Sequence, residues 1–454
     1  MAPVLNVMNA ILHGYQVNEP TWFYLSLLLI LSVFFRFGRI FSLRNFDLAL
    51  MLAIAPALLF AQEVPAKGAF CLVAVTLGLL ARTIFDASFT RRPKLPQNMN
   101  PSGLTFLCVS ALAFMGTKVL TDPPPANEVL EVQRAQQLVQ GLDKKPGSVA
   151  QSAVTGGNEA GPSSRLIYAL AATPTQSNSE SSIDAALYGA RFMAIAAHLA
   201  VVLGLVCLGT YHMGDFPLGI AMATLYLLLP CTAFEVGRVN HVLPSALIVW
   251  AFVAYRHVMV AGALLGLACG SLFFPVFLLP VWMAFYAERG WARFILSVGA
   301  MTLAIVAGIW LLSGATSFNT QSDFGFVDWT KLQFRDTEPT GFWSIFPAAY
   351  RIPAFVSFLA MVTALTIWPR QKNLAHLMAH SAAIVIGTQL WYPQQGSVYV
   401  LWYLPLLLMV VFRPPLHHSV APDLARQSQT VTTAPEVRTN STVASGISTG
   451  TAFR

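Results

Sequence analysis

Apolar runs of about 15 to 22 residues recur along most of this 454-residue chain and are separated by short polar segments. Helical runs of that length match a bilayer hydrocarbon core about 30 Å thick, and a helix satisfies its own backbone hydrogen bonds there. The pattern therefore predicts an all-α, polytopic integral membrane protein with about 12 to 13 transmembrane helices. We predict spans at residues 21–37, 46–62, 67–85, 104–120, 185–208, 217–236, 241–255, 258–274, 275–286, 294–314, 346–368, 374–390 and 398–412.

The apolar run 258–286 is too long for one comfortable span and short for two. We divide it between Phe274 and Pro275, because proline removes a backbone donor and tends to break a helix. The division also places Arg256, Arg370 and Arg413 on one side of the membrane, which the positive-inside rule assigns to the cytoplasm. The resulting topology has the N-terminus outside and the C-terminal tail in the cytoplasm.

The composition agrees with a membrane location. Hydrophobic residues make up 56% of the chain and charged residues 10%, with a mean hydropathy of +0.61, whereas soluble domains contain about 25% charged residues. The net charge of +7 comes from short Lys and Arg clusters between apolar runs, a distribution that sets topology and forms no nucleic-acid-binding stripe. We expect a multi-pass protein of the cell inner (cytoplasmic) membrane that contacts membrane lipids and no nucleic acid.

Cysteines and short motifs point to no resident cofactor. All five cysteines lie within apolar runs, which indicates neither a disulfide framework nor a metal cluster. The chain lacks a glycine-rich phosphate loop followed by Lys and Ser or Thr, and it lacks a His-Glu-x-x-His zinc motif. No cofactor is certain and no metal ligand is assigned. A divalent cation stays compatible with the sequence, because Asp323 and Asp328 in a polar loop could bind a metal or sugar hydroxyls, although paired loop acids are usually only solvated.

The spacing of apolar runs divides the chain into four regions. They are an N-terminal four-span membrane region at 1–120, an extracytoplasmic loop at 121–184, a membrane core at 185–412 and a disordered cytoplasmic tail at 413–454. The loop begins with an amphipathic segment, 127–142, that is typical of an interfacial helix on the membrane surface. Its remainder, around 144–161 and 172–182, has the polar composition of disordered chain.

Polar segments from distant parts of the sequence are predicted to meet on the extracytoplasmic side. They are the long loop 121–184, a cluster at 235–241, a loop at about 316–345 and a turn at 391–395. Aromatic residues border them. We therefore expect the chemistry of this protein on that face.

Three stretches in this order resemble GT-C type integral-membrane glycosyltransferases: GRVNHVLPSALIVWAF, AGALLGLACGSLFFPVFLLP and QGSVYVLWYLPLLL. The resemblance is to the bacterial branch that takes mannose from polyprenyl-phosphate-mannose, and it covers roughly residues 127–412. It implies a GT-C-like membrane core, a polyprenyl-phosphate sugar donor and a lipid or glycan acceptor. Two departures from that family stand out. Glu128 or Asn127 lies near the position of the catalytic Asp of the family. The lysine that is common in the family after the Gly-Leu-Ala helix is missing near Ser271.

The reaction that the resemblance implies needs a carboxylate to accept a proton and cations to stabilise a departing phosphate. Glu128 is the first candidate for the catalytic base and Glu131 the second; alternatively, both only solvate the polar face of a surface helix. Arg238 is the leading phosphate-binding residue, because a guanidinium offers a fixed fork to phosphate oxygens. Alternatively, it anchors the chain at the interface or pairs with Glu235.

Further substrate-binding candidates lie near or within the predicted spans. Asn240 and His241 would orient a sugar or acceptor hydroxyl, although plain helix-start residues would look the same. Arg191 and His198 fall inside a span, where ionisable groups are costly and tend to face a cavity or a partner. Arg191 alternatively reaches back to the interface.

Three functions remain open at this point. The first is a membrane glycosyltransferase, a hexosyltransferase that resembles mannosyltransferases, transferring sugar to an envelope glycan or lipid. The second is a catalytically inactive GT-C-like scaffold or binding subunit in envelope assembly. The third is a transporter, which is less favoured because the chain shows no convincing internal repeat and few charges at mid-membrane depth.

Overall fold

A computed structural model describes most of the chain as a bundle of helices. Six of the described helices are long and apolar enough to cross a membrane, which agrees with the predicted all-α membrane class. In the described part of the chain, β-structure is limited to one isolated bridge between Asn373 and Val420. The structure describes residues 19–89, 97–140, 161–171, 179–288, 290–313, 341–393, 397–416 and 419–422.

The α-helices are numbered in chain order. The first eight are α1 (Glu19–Phe34), α2 (Leu43–Glu63), α3 (Pro65–Ile84), α4 (Pro101–Thr121), α5 (Ala126–Gln140), α6 (Pro162–Ala171), α7 (Ser179–Tyr211) and α8 (Phe216–Leu228). They are followed by α9 (Pro230–Phe234), α10 (Val239–Val253), α11 (Val258–Ser271), α12 (Leu279–Phe285), α13 (Trp291–Ser313), α14 (Arg351–Ile367), α15 (Leu374–Trp391) and α16 (Val400–Phe412). Short 3-10 helices occupy Phe85–Ser88, Phe274–Leu278, Gly341–Ile345 and Ala348–Tyr350.

Prolines decide where two of the apolar runs are interrupted. The run 258–286 breaks where the sequence predicts, because α11 ends at Ser271 and a 3-10 helix begins at Phe274, beside Pro275. The run 217–236 was predicted as one helix, and this is wrong. Helix α8 ends at Leu228 and α9 starts at Pro230, since proline has no N–H with which to continue the hydrogen-bond ladder.

Small residues allow the helices to approach closely. A Cβ atom placed on Gly209 of α7 would lie 2.4 Å from Cα of Gly219 in α8. A Cβ atom on Gly262 of α11 would lie 2.8 Å from the carbonyl oxygen of Phe294 in α13. Glycine at such crossings brings two backbones into contact, as is common where helices pack in membranes.

Polar contacts gather at two groups of helix ends. The first group, which we call the glutamate end, contains Glu128 and Glu131 of α5. There the N–H of Gly161 donates to the carbonyl oxygen of Ser271 over 2.9 Å. At the second group, which we call the arginine end, Arg413 after α16 pairs with Asp86 after α3.

Candidate functional site

A buried glutamate occupies the centre of the glutamate end. Glu128 lies in the first turn of α5 and its side chain is only 3% exposed. Tyr168 of α6 donates its hydroxyl to Oε2 over 2.7 Å, and the backbone N–H of Asn240 in α10 donates to Oε1 over 3.1 Å. One carboxylate therefore joins three helices that are far apart in sequence.

The position of Glu128 follows from the way α10 begins. The first N–H groups of a helix have no partner within the helix, and the residue that caps α10, Arg238, gives it no side-chain hydrogen bond. The Glu128 carboxylate accepts from Asn240 in that first turn instead. A negative charge at a helix N-terminus is also favoured by the helix dipole. Glu128 thus caps α10 from another part of the chain.

Helix α6 supplies the second donor to Glu128. It starts with Pro162, which suits a first helical turn because its missing N–H is not needed there. Just before it, Gly161 is held against the end of α11 by its hydrogen bond to Ser271. Within α6, Arg165 and Tyr168 are three residues apart and so lie on one face of the helix.

Burial and neighbouring charges set the acidity of Glu128. Removal from water raises the pKa of Glu128 from its ordinary value of 4.5 to about 7. The hydrogen bonds from Tyr168 and Asn240 and the nearby His241 act in the opposite direction, while Glu131 raises the pKa further. The same burial, together with Glu128, places the pKa of the Tyr168 hydroxyl well above its usual value. Glu128 therefore titrates near neutral pH.

Glu131 is also buried, with 4% of its surface exposed, but its partners are cations. Arg134 donates Nη1 to its Oε1 over 2.6 Å, and Nε of Arg165 lies 3.6 Å from its Oε2. Neither Glu128 nor Glu131 therefore serves as a solvated group on an open helix face. Glu131 sits in an ion-pair cluster, whereas the hydrogen bonds to Glu128 come from neutral donors.

A second polar cluster lies just before α10. Nε of Arg238 is 2.8 Å from Oε2 of Glu235, and Nδ1 of His241 is 3.5 Å from the same oxygen. The side chain of Arg238 is 43% exposed, whereas His241 is buried. The pairing with Glu235 is the alternative that the sequence left open for Arg238. Arg238 nevertheless keeps an accessible guanidinium within two residues of Asn240.

Aromatic rings enclose the other side of His241. Its ring centroid is 5.0 Å from that of Tyr399 and 6.1 Å from that of Trp402. Tyr399 and Trp402 stack at 4.4 Å, and Phe274 stacks on Trp402 at 4.8 Å. Tyr and Trp side chains in such a cluster each offer an apolar ring face together with a polar O–H or N–H group.

Three buried polar atoms in the chain segments that supply His241, Tyr399 and Trp402 have no hydrogen-bond partner in the described part of the chain. They are Oδ1 of Asn240, Nε1 of Trp402 and Oγ of Ser397. Buried polar atoms normally have partners, so each such exception calls for an explanation. An amide oxygen, an indole N–H and a hydroxyl are groups that can bind a ligand with several hydroxyl groups.

The remaining predicted residues fall elsewhere. Nη2 of Arg191 is 3.5 Å from the carbonyl oxygen of Asp122. His198 is buried within α7, where its Nδ1 lies 2.8 Å from the Tyr226 hydroxyl and its Nε2 lies 3.1 Å from the carbonyl oxygen of Val236. Both ring nitrogens of His198 are therefore engaged by groups other than Glu128.

Two predicted loop acids, Asp323 and Asp328, lie outside the described residues. Within the described ranges, no group of three or more His, Cys, Asp or Glu residues is arranged to hold a metal ion. Sequence reasoning missed Tyr168 and Arg165. Their segment, PSSRLIYALA, does mix polar and apolar residues as an amphipathic helix would, and its first residue is a proline.

Close packing of the α6 start gives a first testable prediction. Gly161→Ala is expected to lower the free energy of unfolding by about 1–3 kcal/mol, as overpacked sites do. The added Cβ would lie 2.2 Å from the carbonyl oxygen of Gly270 and 2.8 Å from that of Ser271, and backbone atoms cannot rotate away. Gly116→Ala is the control, because its Cβ would meet nothing within 4 Å. Equal melting temperatures of the two variants in detergent would contradict this packing.

The glutamate end can thus do two things chemically. A carboxylate with a pKa near 7 can accept a proton at neutral pH, and an accessible arginine beside a capped helix start can bind an anion. Comparison with known proteins adds no further guide. No protein-family model, no curated protein and no solved structure matches this chain.

Proposed function

We propose that this protein is a membrane glycosyltransferase that moves a sugar from a polyprenyl-phosphate donor to an envelope glycan or lipid acceptor. The observation that carries the proposal is the buried Glu128 carboxylate, held by Tyr168 and Asn240 and titrating near pH 7. A general base works best when its pKa lies near the working pH. The resemblance of residues 127–412 to GT-C type enzymes suggests the donor and the class of acceptor.

In the proposed reaction, the acceptor hydroxyl attacks the anomeric carbon of the donor sugar. A new carbon–oxygen bond forms, the bond from that carbon to the phosphate oxygen breaks, and the polyprenyl phosphate leaves with the electron pair. Glu128 takes the hydroxyl proton as the bond forms. Arg238 stabilises the charge on the leaving phosphate, while Asn240 and His241 orient hydroxyl groups.

The proposal includes a location and a topology. The protein lies in the cell inner membrane with about 13 spans, the glutamate end outside and the arginine end in the cytoplasm. Arg36, Arg39, Arg44 and Arg413 all line one cavity at the arginine end, which is the distribution that the positive-inside rule expects. The sugar-transfer site then faces the extracytoplasmic side, where envelope glycans are assembled.

One observation favours a second candidate, a non-catalytic scaffold or binding subunit in envelope assembly. Glu128 caps α10 and is 3% exposed, and both of its oxygens already accept hydrogen bonds from the protein. A residue with that role stabilises the fold whether or not a substrate binds. The enzyme requires that an acceptor hydroxyl can reach the Glu128 carboxylate, whereas the scaffold does not.

A transfer assay separates the two candidates. Membranes that carry wild type, Glu128→Gln or Arg238→Ala are supplied with radiolabelled polyprenyl-phosphate-mannose, and incorporation into glycan and lipid is followed. Loss of a general base lowers the rate by about 100-fold to 10,000-fold, so we expect Glu128→Gln to fall by at least about 100-fold. Glu63→Gln, at an exposed site at the end of α2, is the control and should keep wild-type transfer.

Two outcomes would contradict the enzyme. Equal transfer by wild type, Glu128→Gln and Arg238→Ala would remove the proposed base and phosphate partner together. The scaffold would be favoured if the wild-type protein transfers no sugar, if cells that lack the protein show envelope defects, and if Glu128→Gln repairs those defects as well as wild type does.

A further inference from the structure

A large cavity lies at the arginine end, away from the proposed sugar-transfer site. Its volume is about 1220 Å³, somewhat more than the roughly 300–1,000 Å³ of ordinary small-molecule sites. It is formed where α1 ends, α2, α4 and α8 begin, and α3 and α16 end. Its charged lining residues are Arg36, Arg39, Arg44, Arg82, Arg413, Asp47 and Asp215.

Arg82 and Arg413 are neutralised within the protein. Arg82 binds both oxygens of Asp47, with distances of 2.6 and 3.0 Å, and its Nη1 lies 2.8 Å from Asp86. Arg413 pairs with the other oxygen of Asp86. Asp86 binds these arginines but is not a lining residue. Even when Asp86 is counted, five arginines are balanced by only three aspartates, so the cavity carries net positive charge.

That excess charge is concentrated on the loop between α1 and α2. Among the residues that the structure describes, neither Arg36 nor Arg39 forms an ion pair. The remaining aspartate, Asp215, is occupied as the cap of α8, where it accepts from the N–H of Leu218 over 3.1 Å. Arg36 and Arg39 therefore have no ion-pair partner among the described residues that line the cavity.

The loop that carries these arginines is fixed before any ligand binds. Buried Asn45 accepts the N–H of Arg36 over 2.8 Å, and its Nδ2 lies within 3.2 Å of the carbonyl oxygens of Arg36, Arg39 and Ile40. A single side chain thus holds the backbone of the whole turn. Pre-organisation of this kind reduces the entropy that binding would otherwise cost.

The rest of the lining combines helix starts with apolar side chains. Helices α2, α4 and α8 all begin at the cavity wall, and the N-terminal end of a helix favours negative charge. Phe41, Met99, Leu104, Met213 and Phe412 line the same space. A free phosphate compound would not need these apolar walls, whereas a phospholipid presents a phosphate and hydrocarbon together.

We propose that this cavity binds the headgroup of an anionic phospholipid, with Arg36 and Arg39 as its phosphate-binding residues. The guanidinium groups provide forked donors for the phosphodiester oxygens, and the apolar wall packs against the first part of the acyl chains. The site is separate from the Glu128 centre and stands whether or not the protein transfers sugar. Lipid binding here joins α1, α2, α4, α8 and α16 at their common end.

The test uses the full chain purified in detergent and measures binding of phosphatidylglycerol by native mass spectrometry. Each arginine near an anionic headgroup contributes on the order of 1 kcal/mol, so Arg36→Gln/Arg39→Gln is expected to weaken binding by roughly tenfold to thirtyfold. The control is Arg293→Gln/Arg370→Gln, which removes the same charge from exposed positions outside the cavity lining. It should stay within about twofold of wild type.

Additional arms identify the ligand and guard against misfolding. Phosphatidylcholine should bind more weakly than phosphatidylglycerol, because its headgroup has no net charge, and inorganic pyrophosphate should not displace the lipid. If Arg36→Gln/Arg39→Gln has a lower melting temperature than wild type without lipid, Arg36→Lys/Arg39→Lys is used in its place. The lysine variant keeps the positive charges but loses the forked guanidinium donors, and it should weaken binding about threefold.

Equal weakening in the cavity and control variants would overturn the proposal, since binding would then depend on overall charge. Tight binding of pyrophosphate that is lost in the cavity variant, without a preference for phosphatidylglycerol, would instead assign the cavity to a soluble phosphate compound and overturn the lipid.

Discussion

Arg82→Met is expected to destabilise the protein by about 3–5 kcal/mol, the usual effect of removing one partner of a buried ion pair. Arg82 forms three short contacts to Asp47 and Asp86, and all three side chains are at most 3% exposed. Methionine has a similar length but leaves the aspartates without this cation. The cost arises because Asp47 and Asp86 keep their charges at sites where at most 3% of the side chain is exposed, with one counter-charge fewer.

The change can be measured as the melting temperature of the purified protein in detergent, with Arg370→Met as the control. Arg370 is exposed and carries the same charge, so its replacement should change stability by no more than about 0.5 kcal/mol. Adding Asp47→Asn to Arg82→Met should restore part of the loss, since the charge of one of the two aspartates is then removed. A melting temperature of Arg82→Met equal to that of Arg370→Met would show that the network contributes nothing to stability.

A second large effect is expected in the pH dependence of stability. The folded pKa of Glu128 is raised to about 7 from 4.5, so the unfolded chain loses this proton first as pH rises. Below pH 4.5 both states are protonated and Glu128 imposes no penalty. Between pH 4.5 and 7 the free energy of unfolding therefore falls by roughly 3 kcal/mol on account of this group, and it is level above that window.

Glu128→Gln tests this dependence because glutamine keeps the shape and does not ionise. Glu131, Tyr168 and His241 act on the carboxylate and are unchanged in the variant, so what they contribute themselves is common to both curves. Unfolding is measured at pH 4.5, 5.5, 6.5 and 7.5, with Glu63→Gln as the control. We expect the wild type and Glu63→Gln to lose stability relative to Glu128→Gln as pH rises. Parallel curves for all three proteins would mean that Glu128 is not buried as the structure places it.

The sequence was informative where a property depends on local patterns. Apolar runs predict helices such as α13 and α15 to within a few residues, and Pro275 predicts the break that follows α11. Pro230 carried the same signal and was passed over, because the uniformly apolar residues around it favour an uninterrupted span. The interruption of a helix was thus readable in both places from the chemistry of proline alone.

Burial of Glu128 was not readable from the sequence. An amphipathic helix shows the same polar stripe whether that stripe faces water or another polar helix. The stripe of α5 faces Tyr168 and Asn240, which are 40 and 112 residues away in the chain, and no local rule specifies such a contact. The same holds for Asp86 and Arg413, which lie 327 residues apart.

The pairing of Arg413 with Asp86 has a consequence for how the chain can be cut. The first four helices, α1 to α4, lie in one compact unit with the rest of the chain as far as Ala421. Splitting the gene near residue 120 would put these two charges on separate polypeptides, so that Arg413 would lack its counter-ion and Asp86 would keep only Arg82 until the fragments meet. Co-expressed halves should therefore find each other and co-purify, whereas either half produced alone should be degraded.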